Sequence, residues 1–125
     1  MQYLCLVYHD EDVFRKMLPD ELAAMQQDAK AYDIALQKSG RLAMARPLKR
    51  PHTARTVRVR ARKRDTMDGP FAETKEQLIG FLIIEAGDMD EAVGIAADIP
   101  LARTGTIEVR GLSFHGDPEL ERPKA

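Results

Sequence analysis

The chain has 125 residues, a length that builds one hydrophobic core and is too short for two independent ones. Its composition, 44% hydrophobic and 31% charged, is that of a globular domain rather than a disordered chain, and no apolar run approaches the roughly 18 residues of a membrane-spanning helix. A net charge of −1 gives no global attraction to nucleic acid or to an acidic membrane, although Arg and Lys crowd positions 46 to 64.

Gln2 to Tyr8, rich in Leu, Val, Tyr and Cys, has the pattern of a central strand covered on at least one face. No basic region precedes it and the acidic His9-Asp10-Glu11-Asp12 follows at once, so it reads as a strand and not as a signal peptide. The single cysteine, Cys5, sits inside this strand, which argues for a buried, inert thiol and, with the lack of a leader, for a cytoplasmic location. His9 to Leu18 reads as a connection holding a helical turn.

From Pro19 the helix signals are strong. Proline stands at a first-turn position, Asp20 and Glu21 follow where negative charge suits the helix dipole, and Leu22, Met25, Ala29, Tyr32 and Leu36 recur at steps of three and four. Lys38 lies in the last turn and Gly40 is placed to take the left-handed C-terminal cap. Arg41 to Leu48 then reads as a strand ended by Pro47 and Pro51.

Ala54 to Arg62 alternates, with Val57, Val59 and Ala61 on one side and Arg58, Arg60 and Arg62 on the other, as in a half-exposed strand. Lys63-Arg64-Asp65 reads as a polar turn, after which Thr66 to Phe71 returns as a short strand to complete a hairpin. Leu78 to Glu85 is the most apolar, β-prone run and so a central strand, with Gly80 allowing close approach of another backbone. Asp88-Met89-Asp90-Glu91 opens a second helix with a capping box, its buried face being Ala92, Ile95, Ala96 and Ile99. Thr106 to Leu112 alternates as a last strand, and residues 113 to 125 read as a loosely ordered tail.

One helix between the first two main strands and another before the last give a ferredoxin-like α+β sandwich over residues 1 to 112, with both helices on one sheet face. The opposite face would then be apolar and too large for a monomer to leave wet. A homodimer through that face is expected.

The segment Asp68-Gly69-Pro70-Phe71-Ala72-Glu73-Thr74-Lys75-Glu76-Gln77-Leu78 resembles that of the DGPF-type, YCII-related family. The likeness extends to the opening Met-x-Tyr-Leu-x-Leu-Val-Tyr strand, Leu18-Pro19-Asp20-Glu21, Lys38-Ser39-Gly40 and Thr56-Val57-Arg58-Val59. It implies a ferredoxin-like dimer of the α/β-barrel superfamily. It also implies two partial statements about function: genes of similar proteins often lie beside those of extracytoplasmic-function sigma factors, and the wider family has been proposed to use a His-Asp pair near the first helix. Counting back from Gly40, the positions expected to hold that pair are Ala29 and Lys38, and this helix has no histidine.

Two sets of residues remain as candidates. Gly69 and Pro70 stiffen the DGPF segment and Asp68 can cap nearby amides; on one reading they set a turn that drives Phe71 into the core, on the other Asp68, Gly69, Pro70, Phe71, Glu73, Thr74 and Lys75 line a ligand-binding pocket mouth. His9, beside Asp10 at a strand end, is either an exposed loop residue or, with Asp68, an acid or base, with Tyr8 reaching the same cleft and Arg46 or Lys75 holding an anion. Three scattered histidines make no metal signature, and no cofactor is implied. The basic run from Arg46 to Arg64 has no interleaved aromatics, which argues against nucleic acid and leaves an acidic protein partner, such as a sigma factor, or a solvated face. Two functions follow: a small polar or anionic ligand bound beside the DGPF loop, with or without acid–base catalysis, or a non-catalytic regulatory partner docking through the basic hairpin.

Overall fold

The computed structural model describes residues 1–120. Four antiparallel strands, β1 (Gln2–Asp10), β2 (Leu42–Pro47), β5 (Glu76–Glu85) and β6 (Thr106–Gly111), form one sheet in the order β2-β5-β1-β6. A separate two-stranded ribbon pairs β3 (Arg55–Arg60) with β4 (Lys63–Asp68). The helices are α1 (Glu11–Lys16), α2 (Pro19–Lys38) and α3 (Met89–Ala97). With α2 between β1 and β2, and α3 between β5 and β6, the two most apolar strands lie in the centre of the sheet, as a ferredoxin-like sandwich requires. Residues 121–125, part of the expected tail, lie outside the described residues; before them the chain makes a 3-10 turn at Pro118–Leu120.

The alternation of β1 decides which side is core. Tyr3, Cys5, Val7 and His9 are buried, while Leu4, Leu6, Tyr8 and Asp10 are half-buried on the other face. The buried set meets Leu82 and Ile84 of β5, Leu36 of α2 and Ala92, Ile95 and Ala96 of α3, so both long helices cover one face. Burial pushes the Cys5 thiol up to about 11, which keeps it protonated and unreactive. The open face carries Leu4, Leu6, Tyr8, Leu78, Phe81 and Ile83 in paired rows, as the register Leu4↔Ile83, Leu6↔Phe81 and Tyr8↔Leu78 dictates.

Local signals explain the element ends. Gly40 adopts φ 78° and donates to Gln37 O, while Arg41 N reaches back to Leu36 O, closing α2 with the expected glycine cap. Asp88 accepts from Glu91 N at 2.8 Å to start α3, and the Glu91 carboxylate turns to Arg41 instead of reaching back. At Gly80 a Cβ would sit 3.1 Å from the Arg46 carbonyl, the close backbone approach expected there.

Three boundaries differ from the sequence reading. His9 is not in a loop: β1 runs on to Asp10, whose side chain caps α1 by accepting from Asp12 N. The hairpin turn is Ala61-Arg62 rather than Lys63 to Asp65, because Arg60 pairs directly with Lys63 and both turn residues take positive φ, 50° and 64°. The hairpin is also exposed on both faces rather than one: Val57 and Val59 remain 58% and 57% exposed, and the whole of β4 is exposed.

Candidate functional site

The helix α2 packs unevenly. Its C-terminal half is tight, with Leu36 buried and the Tyr32 hydroxyl donating to the Ile95 carbonyl of α3 at 2.7 Å. Its N-terminal half stands off the sheet, leaving Leu22, Met25 and Ala29 half-buried over open space. Two adjoining cavities run along the helix, meeting at Gln26 and Ala29, one toward each of its ends. One, of about 460 Å³, lies between α2 and the sheet and is lined by Val7, Ala29, Asp33, Arg46, Phe81 and Leu82 among others. The second, of about 310 Å³, continues toward residues 47–51 and adds Phe14, Leu22, Met25, Leu48 and Arg50. The small side chain of Ala29 borders both, so the helix position at which the family likeness implies a histidine does face a cavity, with a methyl group in its place.

Asp33, one helical turn after Ala29, brings a carboxyl group into the larger cavity. Burial holds its pKa above the usual carboxylate value. A titratable group perturbed by desolvation in a cleft is a recognised mark of binding and proton-transfer sites.

His9 is fully buried, 0% exposed, and both ring nitrogens are engaged. Nδ1 lies 3.0 Å from the Asp10 carbonyl, which can only accept, so Nδ1 carries the proton. Nε2 of the neutral ring then accepts from the Thr104 hydroxyl at 2.7 Å. Gly105 makes room for the ring, since a Cβ there would stand 2.8 Å from His9 Cδ2 and 2.3 Å from the Tyr8 carbonyl. The Phe14 ring of α1 stacks on His9, centroids 4.1 Å apart and planes 21° from parallel, and the Arg50 guanidinium lies over Phe14 at 5.9 Å. His9, Phe14 and Arg50 thus follow one another in a column of contacts from the core to the wall of the smaller cavity.

The DGPF segment lies elsewhere. Asp68 ends β4 with its side chain 88% exposed and pairs with Arg55 at 3.4 Å. Gly69, at φ 95°, is clasped to the hairpin base: its N–H donates to Ala54 O at 2.7 Å and its carbonyl accepts from Thr56 Oγ1. Phe71 is not driven into the core; it is 72% exposed, beneath the Arg58 guanidinium at 5.1 Å. Thr74 donates to Glu76 O, and Gln77 Nε2 donates to the carbonyls of Ala72 and Thr74, so the polar residues here satisfy their own loop. Pro70 is half-buried, and Glu73 and Lys75 are exposed. None of residues 68–75 lines either cavity against α2.

His9 pairs with Gln77 across the sheet, so the end of β1 does meet the end of the DGPF loop. The His9 side chain nevertheless points into the core, and it is not brought together with Asp68. Tyr8 faces the open side of the sheet with Asp10 and Glu76. Of the candidates chosen from sequence, Arg46 alone is part of the wall of a cavity beside α2, although its register with Phe81 sets its side chain on the open side of the sheet, the guanidinium donating to Ala45 O. Glu11 and Glu76 each keep one buried carboxylate oxygen without a donor among the described residues.

Asp33, Phe14 and Arg50 were missed from sequence. Asp33 had a signal, a carboxylate on the flank of an otherwise apolar helical stripe. Phe14 and Arg50 had none, because their contact joins two irregular connections far apart in the chain. Among the described residues no three His, Cys, Asp or Glu side chains gather as metal ligands, and no helix is long and apolar enough to cross a membrane.

Comparison with known proteins agrees with this architecture. A family model, the YCII-related domain, matches residues 1–113. The "Uncharacterized protein R00369" of Rhizobium meliloti (strain 1021) is 38% identical over 122 residues, covering 96% of this chain and 98% of that protein. With the DGPF segment in place between β4 and β5 and the family model spanning the whole ferredoxin-like unit, the chain belongs to the YCII-related domain family.

Proposed function

We propose that this YCII-related protein binds a small polar or anionic molecule, and that it does so in the cleft between α2 and the sheet rather than at the DGPF turn. The observation that carries this is the roughly 460 Å³ cavity between the sheet and the stretch of α2 from Gln26 to Gln37, of ligand-pocket size, apolar over most of its wall and holding the burial-perturbed carboxyl of Asp33. Asp33 is the group placed to give or take a proton there, and Lys30 of the same helix face carries positive charge in the lining. The DGPF segment serves as a rigid clasp at the hairpin base. A thermal-shift screen of metabolites tests the assignment, with Ala29→Phe as the comparison protein. Compounds that stabilise the wild type should lose their effect once phenylalanine fills the cavity; stabilisation that survives the substitution excludes this cleft.

A second role is supported by the hairpin. Six basic residues, Arg55, Arg58, Arg60, Arg62, Lys63 and Arg64, stand against two acidic ones on a ribbon exposed on both faces, which suits an acidic protein partner such as the sigma factor implied by the family likeness. Changing Arg58, Arg60 and Arg62 together to Ser should abolish capture of such a partner. Unchanged capture would exclude this surface.

A further inference from the structure

We infer, on the strength of the ligand-binding role proposed above, that the natural ligand is a carboxylate with an apolar body, its carboxylate held by Arg50 in the cavity wall. The main chain that carries Arg50 is anchored beside the cavity. The Arg50 carbonyl accepts from both Thr53 N at 3.0 Å and Thr53 Oγ1 at 2.7 Å. The same connection is tied to the sheet where Leu48 N donates to Ile79 O at 2.8 Å. The Arg50 guanidinium rests on Phe14, which rests on His9, which is bonded at both nitrogens inside the core. With its Cζ 5.9 Å from the Phe14 centroid, the guanidinium makes no side-chain hydrogen bond among the described residues and keeps its N–H fork available to grip a carboxylate with two parallel bonds.

The charge is also uncommitted. Arg50 takes part in no ion pair among the described residues, although it shares a second recess with Glu11, Arg15 and His52. Behind it the smaller cavity is walled by Leu22, Met25, Ala29, Ile79 and Leu101, with no acidic side chain in its lining. An unpaired cation beside a largely apolar chamber selects a ligand that is anionic at one end and apolar at the other. A chamber of about 310 Å³ admits a chain of several carbons or one aromatic ring. The planar fork of Arg50 matches a carboxylate by two parallel bonds, and Lys49 in the same lining adds positive charge beside it.

Isothermal titration and ligand-observed NMR with octanoate and 3-phenylpropionate, each against its primary amide, test this. The wild type should bind the acids at least tenfold more tightly than the amides, Arg50→Gln should erase that preference, and Phe14→Ala should reduce it by freeing the arginine. Equal affinity for acid and amide, an unchanged preference in Arg50→Gln, or tighter binding of octyl phosphate than of octanoate overturns the assignment. If the acids are silent while neutral compounds bind in an Ala29-dependent manner, the anion assignment falls alone; if nothing binds in either experiment, the ligand-binding role falls with it.

Discussion

His9 shows how an ionisable side chain becomes part of a core. Its ring is sealed from water, and the cost of burying two polar nitrogens is offset by one accepted and one donated hydrogen bond. Thr104→Val should therefore destabilise the protein by about 1–3 kcal/mol, the usual penalty for leaving a buried acceptor unmade, as measured by urea unfolding. A loss below a few tenths would mean that water replaces the hydroxyl. Asp33 has the opposite balance. Burial raises its folded pKa, so the folded state holds its proton to higher pH than the unfolded chain, and stability falls as pH rises above the ordinary value of 3.8. Asp33→Asn removes that cost: its melting temperature should exceed that of the wild type at pH 7, and the difference should shrink toward zero below pH 3.8, where Asp33 is protonated in both states. An equal difference at both pH values would show that the carboxyl acts by packing instead.

The hairpin is the element whose local sequence fits its structure least well. A two-residue turn between β3 and β4 needs both residues in the left-handed region, and here Ala61 and Arg62 occupy it, where Asn-Gly is preferred. Each L residue with a Cβ held there costs about 1 kcal/mol. The double substitution Ala61→Asn with Arg62→Gly should slow amide exchange at Arg58 and Asp65, a pair whose N–H groups face one another across the ribbon, at least fivefold and leave the main-sheet amides unchanged. Exchange that does not slow would show that the turn does not limit hairpin stability. This mismatch also explains why the turn was not legible in the sequence: with no Gly or Asn at its centre, the polar Lys63-Arg64-Asp65 was the better local signal. By contrast, α2 was readable end to end because its stripe, first-turn acids and Gly40 cap agree. The candidate site was less legible. Ala29 and Asp33 could be placed on a helix face, whereas the column of His9, Phe14 and Arg50 depends on Thr104 and Gly105 nearly a hundred residues after His9.

The molecule exposes far more surface than its mass requires. Its accessible area is 9677 Å², against about 6,700 Å² for a compact monomer of 14.0 kDa. The exposed hairpin and the open sheet face contribute to this excess, and the face is a continuous apolar field of Leu4, Leu6, Tyr8, Leu78, Phe81 and Ile83 bordered by Arg46, Glu108 and Arg110. A patch self-complementary in this way, apolar at the centre and carrying both charge signs at its border, suits an isologous contact between two copies, and a standard interface takes about 800 Å² from each partner. We therefore propose a homodimer through the sheet face, in which the two open sheets cover one another. Light scattering coupled to size exclusion should give twice the chain mass at micromolar concentration. Leu6→Glu, which places an unpaired charge at the middle of the face on a residue that lines neither cavity beside α2, should give a monomer with unchanged circular dichroism, whereas Leu18→Glu, exposed but off the sheet, should leave the dimer intact. A wild type that runs as a monomer, or a Leu6→Glu variant that remains a dimer, would exclude this face as the contact.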